Sequence, residues 1–294
     1  MKKLIQPGKY ACYAGCLLLI AAGCRNANRE NPPDEMPASQ PPNRLEARAA
    51  PQWDEMLQQD SGGIGADGIY CVPLNGVEAP GKAKDKETMF WFSDNVWGKV
   101  SGDTLAADWE MANNGVAYFK GDTPGKGNIT HFHRVNEEGK TISVFEPNTP
   151  AAAPGEYYWL GDGFFNHALD STIYIFAYRI INVPDVGIYP FDDVGVSLIA
   201  LPKGSRPPFT DQRQLDTPLF LKDSKGRGKV VFGVSVLANT EGAGAPNPDG
   251  YIYVYGVRGP YKELLVARVQ DKDFENFSQW RYWDSKTWQT DINR

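Results

Sequence analysis

An all-β domain is the fold class this sequence predicts, and three observations carry that expectation. Short aromatic and β-branched runs recur along the chain, with 14 Tyr, 14 Phe and 8 Trp supplying 12% of its 294 residues. The 30 Gly and 22 Pro break those runs with turns, as many short strands require and a helical bundle does not. Several runs also resemble one another at a long spacing, the mark of repeated supersecondary units. At 41% hydrophobic and 22% charged residues, the composition excludes wholesale disorder.

The first 23 residues read as an address. Lys2 and Lys3 open the chain, and an apolar run over residues 11–23 ends in small residues before Cys24. That is the layout of a secretory signal, too short for a membrane span of about 20 apolar residues. The residues before Cys24 match a bacterial lipobox, with Ala21 where Leu is more usual. Cys24 is then the lipidated new N terminus; the alternative is plain secretion with cleavage near Gly23. Several acyl chains would hold the protein on a membrane, so the expected location is the bacterial cell envelope, periplasmic or at the cell surface. Cys12 and Cys16 leave with the signal, and Cys71 remains in the apolar run Ile69-Tyr70-Cys71-Val72, where it reads as a buried inert thiol.

Residues 24–60 read as a proline-rich polar tether. A short helix over residues 53–59 closes it, ended by Ser61-Gly62-Gly63. Residues 61–294 form the folded domain.

Within that domain three aromatic runs are alike: residues 88–94, 172–178 and 251–256. Each is preceded by a strand-like run (69–74, 157–160, 230–237) and followed by a third (115–119, 194–201, 263–269). A weaker fourth run closes each unit, at 129–135, 218–221 and 279–283. Four antiparallel strands recurring as a unit predict a β-propeller. Both residue parities are apolar in the second strand of each unit, which predicts burial on both faces. Three units fall short of a closed ring, which needs at least about four blades. Residues 142–145 add a strand but not a blade. The expectation is therefore an incomplete propeller of about three to four blades in a C-terminally shortened chain. The alternatives are merged blades or a different sandwich.

The motifs resemble a known family. Ile64-Gly-Ala-Asp67-Gly-Ile-Tyr70, Phe90-Trp-Phe-Ser-Asp94 and Met111-Ala-Asn113-Asn114-Gly-Val-Ala117 are similar to the opening of a bacterial five-bladed β-propeller family, domains of unknown function 4185 and 5005. Tyr158-Trp-Leu-Gly-Asp162-Gly163, Asp249-Gly-Tyr-Ile-Tyr-Val-Tyr255, Leu265-Val-Ala-Arg268-Val269 and Trp280-Arg-Tyr-Trp283-Asp284 continue the resemblance to about Trp288. It implies a glycoside-hydrolase-like domain, since some relatives are endo-D-arabinanases with two essential aspartates near the start. Asp67 and Asp94 stand at those positions. Two features depart from the family pattern: residues 77–87 read as an insertion, and the last one or two blades are missing.

Glycosidic hydrolysis needs two carboxyl groups flanking the scissile bond, one to protonate the leaving oxygen and one to activate water or attack the sugar. Asp67 and Asp94 are the catalytic candidates. Asp162, Asn113, Asn114, Trp91 and His167 are the substrate-binding candidates, with Trp97, Tyr158 and Trp159 as further rings on which a sugar could stack. The competing reading of Asp67-Gly68 and Ser93-Asp94-Asn95 is ordinary turn chemistry. His131 and His133 share one strand face, but no acidic or cysteine partner stands at ligand spacing. No metal and no cofactor are expected, a structural Ca²⁺ being the one open alternative. A Gly-x-Ser-x-Gly element is absent, leaving serine catalysis unsupported.

Charge bears on partners. The chain carries 30 basic and 36 acidic residues, a net −6; without the first 23 residues, which hold Lys2, Lys3 and Lys9, it is 27 against 36, or −9. Such a domain lacks a nucleic-acid footprint. The expected partners are a polysaccharide or other glycan, and a membrane through the lipid anchor. The functional expectation is a lipid-anchored glycoside hydrolase, with a non-catalytic glycan- or protein-binding lipoprotein as the alternative and a poorly folding remnant as a third.

Overall fold

The computed structural model describes residues 47–83, 86–184, 187 and 190–293. The signal, Cys24 and most of the tether lie outside the described residues. Contacts divide the chain after Arg48, and the unit from Ala49 onward is the subject below.

Helix α1 (Pro51–Leu57) opens this unit, with Pro51 in the first turn, where its fixed φ suits a helix start. Eighteen strands follow among the described residues. In chain order they are β1 (Ser61–Ala66), β2 (Tyr70–Pro73), β3 (Glu87–Phe92), β4 (Asn95–Ser101), β5 (Thr104–Leu105) and β6 (Glu110–Ala112). Then come β7 (Gly115–Lys120), β8 (Ile129–Phe132), β9 (Glu156–Asn166), β10 (Thr172–Asn182), β11 (Phe191–Leu201) and β12 (Arg213–Asp216). The last are β13 (Phe220–Leu221), β14 (Val230–Asn239), β15 (Tyr251–Arg258), β16 (Glu263–Gln270), β17 (Arg281–Trp283) and β18 (Trp288–Gln289).

All pairing is antiparallel, in four sheets. A small sheet joins β1, β4, β5 and β6; the others run β2-β3-β7-β8, β9-β10-β11-β12 and β13-β14-β15-β16-β17-β18. The three predicted units are thus present as three sheets. In each, the predicted second strand sits between the first and the third.

Burial follows from period-2 alternation along those second strands. Ile173, Ile175 and Ala177 of β10 join a core with Val72, Trp91 and Leu160. Tyr174 and Phe176, pointing the other way, join a core with Val230, Phe232, Ile252 and Val254. One sheet is therefore covered on both faces by its neighbours. β3 is likewise covered twice, because Phe90 and Phe92 meet Met56 of α1 on its far side.

β15 departs from expectation. Ile252, Val254 and Gly256 are buried, whereas Tyr251, Tyr253 and Tyr255 between them stay half exposed. Among the described residues β15 pairs with β14 and β16 within its own sheet. Three further expectations are corrected. In the second unit the fourth strand is β12, while β13 pairs with β14 at the edge of the next sheet. Residues 142–145 form no strand, because Asn114 brackets them: Phe145 N–H donates to Asn114 Oδ1 at 2.8 Å. Cys71 is exposed, since β2 alternates and Val72 takes the core position.

The first strands β2, β9 and β14 lie side by side. Their connecting loops sort to two ends. At one end His167, after β9, donates Nε2–H to Gly76 O after β2 at 3.1 Å and also packs against Gly242, after β14. The opposite end, where these strands begin, holds the site.

Candidate functional site

Two strand pairs meet at this end in one register. Ala66 pairs with Asn95 in the small sheet and Tyr70 with Trp91 in the next, and Asp67 and Asp94 stand at the junction between these two ladders. Asp67 N–H donates to Asp94 O at 2.8 Å, and Ser93 N–H donates to Asp67 O at 2.8 Å. Gly68 has φ 55°, a left-handed turn that releases Asp67 from the strand; a Cβ there would lie 2.9 Å from Ser93 Oγ.

Both aspartates open onto one cleft of about 500 Å³, with Tyr70, Ser93, Trp159, Tyr178 and Phe191 in its wall. Trp159 Nε1–H donates to Asp94 Oδ1 at 2.8 Å. The Trp159 ring meets Phe191 edge-on at 4.6 Å. Ser93 Oγ donates to Leu160 O and accepts from Leu160 N–H, each at 3.1 Å, which pins the aspartate hairpin to β9. Asp67 Oδ1 accepts its neighbour Gly68 N–H at 2.6 Å. A cleft of about 560 Å³ at Arg134, Glu146 and Gln214 shares none of these residues, and its Arg134 and Glu146 are paired at 2.8 Å.

The remaining sequence candidates separate. Asn113 stays beside the pair, its Nδ2 3.5 Å from Asp94 Oδ1. Asp162 sits in a bulge of β9 against β10. There it accepts N–H bonds from Gly163 at 2.8 Å and from Val236 of β14 at 2.7 Å. Burial pushes its carboxyl pKa up, opposed by those bonds. Neither Asp162 nor three further candidates line the cleft. Asn114 is buried and donates to Phe145 O at 2.9 Å and Tyr158 O at 3.0 Å. Trp91 is fully buried and donates to Gly161 O at 2.7 Å. His167 lies at the opposite end of the strands. Among the four proposed stacking rings Trp159 alone reaches the cleft: Tyr158 is buried and Trp97 stacks on His133 at 4.0 Å.

Sequence reasoning missed Tyr70, Tyr178 and Phe191 as wall residues. Tyr178 had a signal: it closes the run 172–178 as Asp94 closes 88–94, and it faces Trp159. Glu78 was also missed. It lies in the stretch read as an insertion, its N–H bonded to Ala243 O at 3.0 Å. It opens on a separate cleft of about 530 Å³ with Leu237 and Asn239. Burial, then the Asp162 charge, pushes its pKa up to about 7.

A family model for a domain of unknown function, DUF5005, matches residues 51–294. The chain belongs to that family. No curated protein matches this DUF5005 chain. Its fold is similar to the crystal structure of a candidate hydrolase from Bacteroides ovatus, with a TM-score of 0.56 at 15% sequence identity. The match covers 82% of this chain and 58% of that one, so the DUF5005 chain spans well under two thirds of its neighbour.

Proposed function

We propose that this DUF5005 chain is a lipid-anchored extracytoplasmic glycoside hydrolase, with Asp67 and Asp94 as its carboxyl pair on a propeller-type scaffold. The observation that carries the reading is that Asp67 and Asp94, joined through their backbones where two strand pairs meet, both line one aromatic-walled cleft. One carboxyl protonates the glycosidic oxygen, and the other attacks the anomeric carbon or activates water. Trp159 and Phe191 offer rings for the sugar. The Bacteroides ovatus neighbour's description as a candidate hydrolase agrees with this reading. The side-by-side first strands support the propeller, and the lipobox-like Cys24 the anchor.

Purified protein is expected to release reducing ends from arabinan or a related extracellular glycan. Asp67→Asn and Asp94→Asn should each lower that release by at least about a thousandfold with the melting temperature kept. Binding without release, with both variants altering affinity alone, would instead establish the non-catalytic lipoprotein. Incorporation of labelled fatty acid by the wild type, lost in Cys24→Ser, tests the anchor.

A further inference from the structure

The β13–β18 sheet carries a pairing that strand energetics disfavour. Arg268 of β16 stands directly across from Arg281 of β17, and like charges opposite one another in an antiparallel ladder destabilise it. Acidic residues outnumber basic ones by 36 to 30, and Arg134, Arg179, Arg206, Arg213 and Arg258 each pair with a glutamate. Arg268 and Arg281 have no carboxylate partner among the described residues. Arg281 donates from Nη1 to the carbonyls of Ser278 and Trp280. Arg268 is held by rings instead, its Cζ 4.3 Å from the centroid of Tyr251 and 4.1 Å from that of Trp288. A guanidinium stacked on rings is still unspent as a hydrogen-bond donor. Of its nitrogens Nε alone is sealed without a partner, so the fork left open to solvent is that of the two terminal amino groups.

The rings beside Arg268 form a row on its face of the sheet. Tyr253 pairs with Arg268 across the ladder. Ring centroids follow one another at 6.2 Å from Tyr251 to Tyr253, 6.2 Å from Tyr253 to Trp288 and 5.2 Å from Trp288 to Trp283. Tyr251, Tyr253 and Trp288 are half exposed, and Trp283 is 41% exposed. Asp249, the acid next to this row, is engaged: it accepts from the Tyr253 hydroxyl at 2.6 Å and from Tyr251 N–H at 3.1 Å. None of these residues lines the aspartate cleft. We propose that this face is a second ligand site and that it takes an acidic polysaccharide. A uronate carboxylate sits on the Arg268 fork beside Arg281, and the sugar units on either side lie along the row of rings. The carboxylate relieves the like-charge pairing and matches the fork with two charge-assisted bonds. The ring spacings are of the size of a sugar unit, so a flat repeating chain answers the arginines and the rings together. The net negative charge of the chain does not decide the contact, because at physiological ionic strength it is felt over only about 8 Å. This site does not rest on the glycosidase reading: it requires binding, whatever Asp67 and Asp94 do.

Affinity electrophoresis in gels containing polygalacturonate, or the same polymer methyl-esterified and so uncharged, tests the site on the purified chain. The wild type is expected to bind polygalacturonate at least about tenfold more tightly than the ester, as for one charge-assisted pair. Arg268→Gln should remove that preference, and Trp288→Ala should weaken binding of both polymers. Arg281→Glu gives Arg268 a partner within the sheet, an opposite-charge pair that stabilises the ladder. It should melt no lower than the wild type and still lose at least about tenfold in affinity for polygalacturonate. Retained affinity in Arg281→Glu overturns the proposal, as does equal binding of the two polymers or binding of neither. Loss of polygalacturonate binding in Asp67→Asn places the polymer in the aspartate cleft and overturns it as well. So does a dimer in sedimentation that Trp288→Ala dissolves while no polymer binds, since a second copy then covers the face. Reducing-end release and its loss in the aspartate variants judge the glycosidase reading separately.

Discussion

Trp159 and Asp94, 65 positions apart, are joined by an indole N–H to carboxylate bond of 2.8 Å. Trp159 stands near the start of β9 and Asp94 at the junction of β3 and β4, so the bond ties a site carboxylate to the neighbouring sheet. Trp159→Phe keeps a ring for stacking and removes the donor. Turnover on the cleaved glycan is expected to fall about tenfold, with thermal stability nearly unchanged, because the bond holds the carboxylate's direction and not the core. A loss confined to the half-saturating concentration would assign Trp159 to stacking alone.

Asn114 is expected to behave in the opposite way. Its side chain satisfies Phe145 N–H, Phe145 O and Tyr158 O in the core. Asn114→Ala leaves those groups without partners and should cost about 2–4 kcal/mol of stability in denaturant titration. Activity per folded molecule should be retained. Lost activity in a fully folded variant would return Asn114 to the site.

Glu78 makes stability depend on pH in a defined direction. Its pKa rises from 4.5 to about 7 on folding. Its contribution is thus fully present below about pH 4.5 and lost as pH rises through about 7, where the ionised carboxylate stands near Asp162. Melting temperatures of the wild type and Glu78→Gln should diverge as pH rises across that window, the wild type losing more. Parallel curves would refute the assignment.

His131 acts at the other edge. Its ring stacks near Phe92 at 5.6 Å, neither ring nitrogen has a partner among the described residues, and burial lowers its pKa below 6.5. Folding then favours the neutral ring. Stability is present above pH 6.5 and declines as pH falls below that value, since the unfolded chain binds the proton more readily. In His131→Phe that decline should shrink in melting curves recorded from pH 7 to 5.

Strand composition and turn residues were enough to read the all-β class and the three repeated sheets from the chain, because alternation and Gly or Pro breaks are local properties; the candidate pair Asp67 and Asp94 came instead from the family resemblance of the motifs around them. The fate of Trp91 and Trp159 was not legible. Both are tryptophans in aromatic strands, yet one is sealed between sheets and the other meets Asp94. Which neighbour covers a strand face depends on packing between distant segments. Asn113 and Asn114 make the same point at adjacent positions: alternation sends one toward Asp94 and the other into the core.

By itself, then, the order of residues determined where strands run and where they break, since backbone sterics and side-chain alternation act over a few residues. The tertiary structure decided that the breaks at Gly68 and Ser93 share one register, that the β9 bulge turns Asp162 toward β14, and that Tyr178 rather than Trp91 forms the cleft wall. Those outcomes arise from contacts between distant segments, such as Ser93 with Leu160 and Val236 with Asp162, at the order-of-magnitude level of roughly 1 kcal/mol per hydrogen bond, and no short window of sequence contains both partners.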